Sequence, residues 1–494
     1  MAEYSEPTDT VFGQLKLKTI LSTYNPWWLG QIDRLETPVF RRDAFAAAVR
    51  HLQASHDLAF LINGPRRVGK TTVMRQLVKH LIEEQGVAPQ RVLFFSLDDP
   101  FIQQRPAAEQ GAAFEDVLRV WEERLGSSLS ATDETVYCFL DEIQRLPHWE
   151  LYVKRYVDLR YRVRFVISGS ASHTIFRKSL ESLLGRVVEV SLPPFAFREW
   201  LRFHRPDFAA ALASFADARL DIRDRTSLVT ELVGLWTAMG RPEQSKLTAE
   251  VDAYAKAGGF PQLWGMKDAV ERSQFIDSQF VQRVTMEDLR LVKEIRNPEV
   301  FHRFLRHAFA RTGDEYELNG LTRTIGTSRN TLVEALPLLL QTDLLWRVER
   351  FSGNPVRLRT THAKLYATDP VLYEAVIKTP ADLMGEDKGR LTETLVFNVL
   401  RRLPGISDIS YFRAPKRRGY PEREVDFVVR IGRNCLPIEV KSRSSAGAAD
   451  KVNTEFFLDE YGNKDDYGIL VNRDVLNTDN RVLEIPLGLF LLLI

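Results

Sequence analysis

Gly64-Pro65-Arg66-Arg67-Val68-Gly69-Lys70-Thr71-Thr72 decides the reading of this 494-residue chain. The stretch lies between an apolar run, Leu58 to Ile62, and a helix-like stretch, Val73 to Glu83. Strand, glycine loop and helix in that order form the P-loop arrangement. The glycines let backbone N–H groups turn inward and cradle phosphates. All nine residues, from Gly64 to Thr72, are therefore candidate nucleotide contacts. Lys70 is placed to reach the β- and γ-phosphates, and Thr71 to hold Mg²⁺. ATP with Mg²⁺ is the expected ligand.

A P-loop needs a carboxylate at the end of a nearby strand. Val136-Tyr-Cys-Phe-Leu-Asp141-Glu142 supplies it, because the apolar residues carry the strand into a sheet and leave Asp141 at its carboxyl end. Asp141 is the expected partner of the Mg²⁺ shell. Glu142 is the expected group that polarises the attacking water. The next strand ends in Ser168-Gly-Ser170, which makes Ser168 a candidate γ-phosphate sensor. Arg186, after Leu184-Gly185, is a candidate arginine finger donated across a subunit interface.

The bulk composition narrows the class without naming a partner. Apolar residues make up 44% of the chain and charged residues 27%, as in soluble globular proteins. The formal net charge of +1 means that any basic surface is local. The two cysteines, Cys138 and Cys435, show no spacing for a disulfide or zinc framework and suit a reducing compartment. The acidic, polar start is not a signal peptide. The apolar tail Leu487 to Ile494 is too short to cross a membrane and reads as a buried final strand. The expectation is a cytoplasmic protein with no membrane partner.

Five segments follow from the patterning. Residues 1–50 are an N-terminal lead-in with a helix from Arg42 to Leu52. Residues 51–200 alternate short apolar strands with helices, which predicts a parallel sheet. Residues 201–310 are mainly helical, as in a lid, with a break at Gly258-Gly-Phe-Pro261. Residues 311–384 hold two short helices about Gly326-Thr-Ser and then a strand, the order of a winged helix. The stretch Gly385-Glu-Asp-Lys-Gly-Arg390 reads as a linker into a second α/β unit, residues 385–494.

GPRRVGKTT, LDEIQRLPHWE (140–150), SGSAS (168–172) and LLGRVVEVSLPPFAFREW (183–200) together resemble the AAA-type ATPases of bacteria and archaea. GGFP (258–261), KLYATDP (364–370) and the REVDF…PIEVK region are similar to later landmarks of the same group, whose carboxy-terminal domain has no assigned function. Val371-Leu372 stands where that group has glycine-leucine. The resemblance implies an ATPase core, a helical and winged-helix middle and a nuclease-like end. It also implies a homo-oligomer, with a ring of six as the usual expectation.

Arg423-Glu-Val-Asp426 opens one strand, and Ile438-Glu439-Val-Lys441 follows on the next. Glu439 and Lys441 point to one face, because strand side chains alternate. Asp426 and Glu439 are candidate ligands for one or two Mg²⁺, Lys441 a candidate for orienting hydroxide, and Glu393 a further carboxylate from the preceding helix. This set resembles the PD-(D/E)xK nuclease fold, including archaeal-type Holliday-junction resolvases. Nine basic residues between Arg413 and Arg443 outnumber four acidic ones, with Tyr411, Phe412 and Tyr420 among them, a pattern suited to a phosphate backbone. In the winged-helix segment Ser328 is a candidate N-cap, and Arg329 and Asn330 are candidate DNA contacts. The leading expectation is an ATP-hydrolysing protein that remodels or translocates DNA, branched DNA and branch migration included, with cleavage by the C-terminal domain left open. The alternatives are a nucleotide-gated defence or stress switch over a nuclease, and a DNA-binding regulator that uses ATP only to lock an oligomer.

Overall fold

A computed structural model describes residues 7–54, 58–170, 183–213, 221–289, 297–352, 362–376, 385–414, 422–443 and 447–493. The chain divides into two compact units, Met1–Leu192 and Pro193–Ile494.

The first unit is built on five strands: β1 (Ala59–Gly64), β2 (Val92–Ser96), β3 (Val136–Asp141), β4 (Val163–Ser170) and β5 (Val187–Ser191). Their order in the sheet is β2-β3-β4-β1-β5, and every pairing is parallel. Continuous apolar runs produce this arrangement, because helices cover both faces of a parallel sheet and leave no polar side. Phe60, Leu61, Leu93, Phe95, Phe139, Leu140, Val166 and Ile167 are all buried. Residues 1–50 are more than a lead-in. A helix, Pro7–Tyr24, precedes Trp27 and Trp28, whose indole N–H groups both donate to the carbonyl of Val92 on β2 at 3.0 Å. These tryptophans add apolar area to the sheet edge while their polar atoms remain satisfied.

The second unit starts with helices Phe197–His204, Pro206–Ala213 and Arg225–Ala257, the last bent at Gly240. It ends in an eight-stranded sheet: β6 (Glu315–Glu317), β7 (Leu345–Arg350), β8 (His362–Ala367), β9 (Asp408–Arg413), β10 (Glu424–Ile431), β11 (Asn434–Val440), β12 (Gly468–Asn472) and β13 (Val482–Pro486). The order is β13-β12-β11-β10-β9-β7-β8-β6. The parallel pair β7–β9 joins Glu349 to Ser410 and Arg350 to Tyr411, so the sheet runs unbroken across the boundary read at 384/385.

Two readings are corrected in this unit. Gly385–Arg390 is the first part of a helix, Gly385–Leu400, and not a linker. Its charges make an i,i+3 pair, Arg390 to Asp387 at 2.9 Å, and Arg390 also reaches Asp314 at 2.9 Å. The tail is likewise not a strand. Leu487–Leu491 is a short buried helix, and a Cβ on Gly488 would lie 2.7 Å from Leu247 Cγ. An eight-residue apolar run does not by itself distinguish the two states.

The GGFP and KLYATDP landmarks meet in this unit. Asp369 Oδ2 accepts the Gly259 N–H at 2.7 Å, and Asp369 Oδ1 accepts that of Val371 at 2.9 Å. Gly258 has φ +70, and Gly259 packs so closely that a Cβ there would lie 2.6 Å from the carbonyl oxygen of Phe195. The role visible here is structural, a buried carboxylate closing two backbone N–H groups.

Candidate functional site

The P-loop leaves β1 at Gly64, where a Cβ would lie 2.2 Å from the Leu192 carbonyl oxygen after β5. Only glycine fits that approach. The loop then turns through Arg67 (φ 69) and Gly69 (φ 100) into the helix Lys70–Lys79. Arg42 donates to the Val68 carbonyl at 3.2 Å and braces the loop from outside the motif. Lys70 is buried, and its ammonium donates to the carbonyls of Gly64 (2.9 Å) and Pro65 (3.0 Å). The charge is thus folded inward across the loop.

Thr71 Oγ1 donates to Asp141 Oδ2 at 2.7 Å. The two residues come from the first turn of the helix that follows β1 and from the end of β3, with β4 between those strands. Ser168, on β4 opposite Ile62, donates to Asp141 Oδ1. Its hydroxyl therefore orients the carboxylate, a role that the sequence reading did not give it. Ala171 and Ser172 of the SGSAS stretch lie outside the described residues.

Glu142 follows with φ 53, a left-handed conformation that costs a non-glycine residue energy and aims its side chain. Its N–H points to Asp141 Oδ1 (3.2 Å) and Ser168 Oγ (3.4 Å), and its carboxylate accepts from Gln144. Burial raises the Glu142 pKa, but Lys70, Arg66, Gln144 and Arg145 outweigh it and hold the carboxyl below its ordinary value. Asp141 is moved the other way, by burial first and then by the Glu142 charge. The two adjacent carboxyls are thus shifted in opposite directions by their surroundings. A threonine hydroxyl and a carboxylate oxygen on one side of the loop are hard oxygen donors, the kind Mg²⁺ takes. The residues present fit that ion.

Arg186 does not belong to this cluster within one chain. Its carbonyl accepts the N–H of Ala59, at the start of β1, while the P-loop leaves the other end of that strand. Five residue steps of β-strand separate them by roughly 16 Å. The guanidinium pairs with Asp158.

In the second unit, Glu393, Asp426, Glu439 and Lys441 come together, and Lys364 joins them from β8. The Lys364 ammonium lies 3.1 Å from Glu393 Oε1, 3.1 Å from Glu424 Oε1 and 3.9 Å from Asp426 Oδ1. Lys441 pairs with Glu439 Oε1, and Asp426 Oδ2 accepts the Val440 N–H at 2.9 Å. Among the described residues no group of three or more carboxylate, histidine or cysteine side chains is arranged to hold a metal ion. Asp426 and Glu439, expected as Mg²⁺ ligands, do not fit the ion as they stand. Lys364 opens the KLYATDP stretch, which gives no sign of this role, since its partners lie from 29 to 62 residues away.

The basic, aromatic stretch is also revised. Tyr411 and Phe412 are core residues. Arg413 pairs with Glu315, Glu422 and Glu424, and Arg443 with Asp450. Lys416, Arg417, Arg418 and Tyr420 lie outside the described residues.

Three family models match separate stretches of the chain. Residues 56–201 match the family described as an AAA domain, and residues 248–383 and 388–490 match two domains of unknown function, DUF8612 and DUF4143. The P-loop stretch is thus similar to an AAA domain, and the two stretches that follow it are similar to domains without an assigned role. An uncharacterized protein of Methanocaldococcus jannaschii, MJ1637, is 23% identical over 482 residues, spanning 97% of this chain and 92% of its own. Another from that organism, MJ1544, is 24% identical and spans 77% and 74%. An uncharacterized Haemophilus influenzae protein is 21% identical, spanning 82% and 88%. Among solved structures, AMPPCP-bound DnaA from Aquifex aeolicus (13% identity, 63% of this chain and 90% of that one, TM-score 0.23) and the S. cerevisiae Hsp104–ADP complex (15%, 61% and 46%, TM-score 0.27) are similar. At TM-scores this low neither likeness constrains the fold or the activity. No described helix is long and apolar enough to cross a membrane.

Proposed function

We propose that this protein hydrolyses ATP with Mg²⁺ at Lys70, Thr71, Asp141 and Glu142 and uses the cycle to remodel or move DNA held by residues 193–494. The observation that carries the ATPase part is the Thr71–Asp141 hydrogen bond beside the inward-folded Lys70. A bound Mg²⁺ would supply positive charge against the phosphates. Thr71 and Asp141 supply the oxygens that hold it. Lys70 exchanges its carbonyl partners for phosphate oxygens, and the loop N–H groups from Arg66 to Thr72 cradle the remainder. Glu142, kept ionised by Lys70 and Arg66, orients water and takes its proton. Arg186 serves the site of a neighbouring copy, a reading supported by its place at the far end of β1. It implies a homo-oligomer, for which a ring of six is the natural arrangement.

The DNA part draws support from the second unit. A helix (Pro298–Ala310), β6, two helices (Leu318–Ile325 and Arg329–Leu340), then β7 and β8 follow the order of a winged helix. Ser328 caps the second of the paired helices, accepting the Thr331 N–H at 3.2 Å, and this brings Arg329 and Asn330 to its first turn. Branched DNA is the substrate subclass favoured here. Cleavage is not part of this reading, because the carboxylates that would perform it are neutralised by lysines. Two unpaired thiols, Cys138 and Cys435, suit the cytoplasm.

The test is ATP turnover measured with single-stranded, duplex, forked and four-way DNA. Turnover that DNA stimulates, and that Glu142→Gln abolishes while nucleotide binding persists, is the expected result. An unaltered rate in Glu142→Gln sinks the ATPase reading, and a rate indifferent to every DNA sinks the DNA part.

A further inference from the structure

Lys364 sits on β8, 4% exposed, with its ammonium among three carboxylates from two other elements: Glu393 on the helix Gly385–Leu400, and Glu424 and Asp426 on β10. Tyr366, two residues along β8, donates its hydroxyl to Glu393 Oε1. The carboxylates hold the ammonium firmly in its charged form against the opposing pull of burial. The remaining oxygens of the cluster are mostly committed. Asp426 Oδ2 is used by the Val440 N–H, and Glu439 Oε1 by Lys441. Glu439 Oε2 alone is buried without a hydrogen-bond partner.

A nuclease of the type that Asp426, Glu439 and Lys441 resemble would need a divalent ion in this place. Mg²⁺ demands near-octahedral oxygens at about 2.0–2.1 Å and keeps several waters. An ammonium touching two carboxylates at 3.1 Å takes the same space and supplies the same sign of charge. We infer that Lys364 is the resident cation of this cluster, standing in place of a divalent metal, and that the cluster accepts a metal only once the ammonium is removed. The unit is then a nuclease-like scaffold without a metal centre. Glu393, Glu424 and Asp426 serve there as partners of Lys364, Tyr366 and the Val440 N–H.

The test uses nucleotide-free, full-length protein and Mn²⁺ as the probe, with bound ion counted by electron paramagnetic resonance. Wild type, Asp426→Asn and Glu439→Gln are expected to bind the same amount of Mn²⁺, since none resides in the cluster. Lys364→Met is expected to bind one further ion per chain and to be stabilised against heat by it. Lys364→Met combined with Asp426→Asn should lose that ion. A wild-type Mn²⁺ ion that disappears in Asp426→Asn or Glu439→Gln overturns the inference, as does a folded Lys364→Met that gains no ion. If Lys364→Met does not fold, the comparison of wild type with the two carboxylate variants decides alone. No nucleotide is present, so failure of the ATPase reading leaves this result untouched.

Discussion

Thr71 Oγ1 and Asp141 Oδ2 lie 2.7 Å apart although 70 residues separate them in the chain. The bond links the first turn of the P-loop helix to the end of β3, and Ser168 fixes the second oxygen of the same carboxylate. Asp141→Asn keeps the shape of the side chain and removes the charge that would hold the metal. Turnover should fall by on the order of 10²–10³, the scale of losing one organised electrostatic partner. The Mg²⁺ concentration for half-maximal rate should rise as well. An Asp141→Asn enzyme with the wild-type Mg²⁺ curve would show that Asp141 only fastens the loop.

Arg186 and Lys70 sit at opposite ends of β1, so one chain cannot bring both to one triphosphate. Arg186→Ala should bind nucleotide normally and lose roughly 10³-fold or more in turnover, as arginine fingers do. Lys70→Ala should lose nucleotide binding. Mixing the two inactive proteins should restore part of the rate, because each supplies what the other lacks. Full activity in Arg186→Ala would leave the Asp158 pair as the residue's whole role.

The glycine loop and the carboxylate at the end of β3 were legible because each is local. Phosphate binding needs a glycine loop of fixed length, and the metal-side carboxylate must end an apolar strand, so both leave a pattern within ten residues. Lys364 and Asp369 stand in the KLYATDP stretch, but nothing in it points to their partners. Their partners, Glu393, Asp426 and Gly259, lie on other elements, and only the folded sheet brings them close. The same limit explains Tyr411. A strand aromatic beside arginines suggests a nucleic-acid surface, yet pairing between β9 and β10 turns it into the core. Ser168 was placed correctly at its strand end, but the direction of its hydroxyl depends on β3, its neighbour in the sheet.

Gly259→Ala adds a Cβ at 2.6 Å from the oxygen and 2.7 Å from the nitrogen of Phe195, where the neighbour is backbone and cannot swing aside. Overpacking of that kind costs about 1–3 kcal/mol. Asp369→Ala should cost a similar ~1–3 kcal/mol, by stranding the N–H groups of Gly259 and Val371. Urea unfolding should show the loss as a lower midpoint, with hydrogen exchange rising around residues 258–261. An unchanged midpoint for Gly259→Ala would mean that the chain around Phe195 yields easily.

The carboxylate cluster makes stability depend on pH with a defined sign. Burial first, helped by the Asp426 charge, pushes Glu393 up to about 7 and Glu439 up to about 8. An unfolded glutamate ionises near about 4.3. Between those values the native protein holds protons that the unfolded chain has released. Stability therefore falls as pH rises from about 4.5 to 8, by at most ~1.4 kcal/mol per pH unit for each group. Lys364 and Lys441, with pKa raised by the same carboxylates, contribute stability that persists through this window. Amide exchange in β10 and β11 should quicken, beyond its intrinsic pH dependence, between pH 5.5 and 8.5, and Glu439→Gln should flatten the trend. A steeper trend in Glu439→Gln would contradict the assignment.

Arg329 and Asn330 begin the helix that Ser328 caps, and the proposed DNA contact assigns each a different effect there. Removing a charge that meets phosphate should weaken binding to every sequence alike and reduce the slope of log affinity against log salt by about 1. Removing a group that meets base edges should cost about 1–3 kcal/mol for the preferred sequence alone and leave the salt slope intact. Arg329→Ala is expected to behave in the first way and Asn330→Ala in the second, measured by fluorescence anisotropy on duplex DNA across a salt series. Thr331 is the control: Thr331→Val removes the hydroxyl that meets Ser328 but leaves the backbone cap, and should alter neither quantity. If Arg329→Ala leaves both affinity and salt slope unchanged, this helix does not meet DNA, and the second unit must hold it by another surface or not at all.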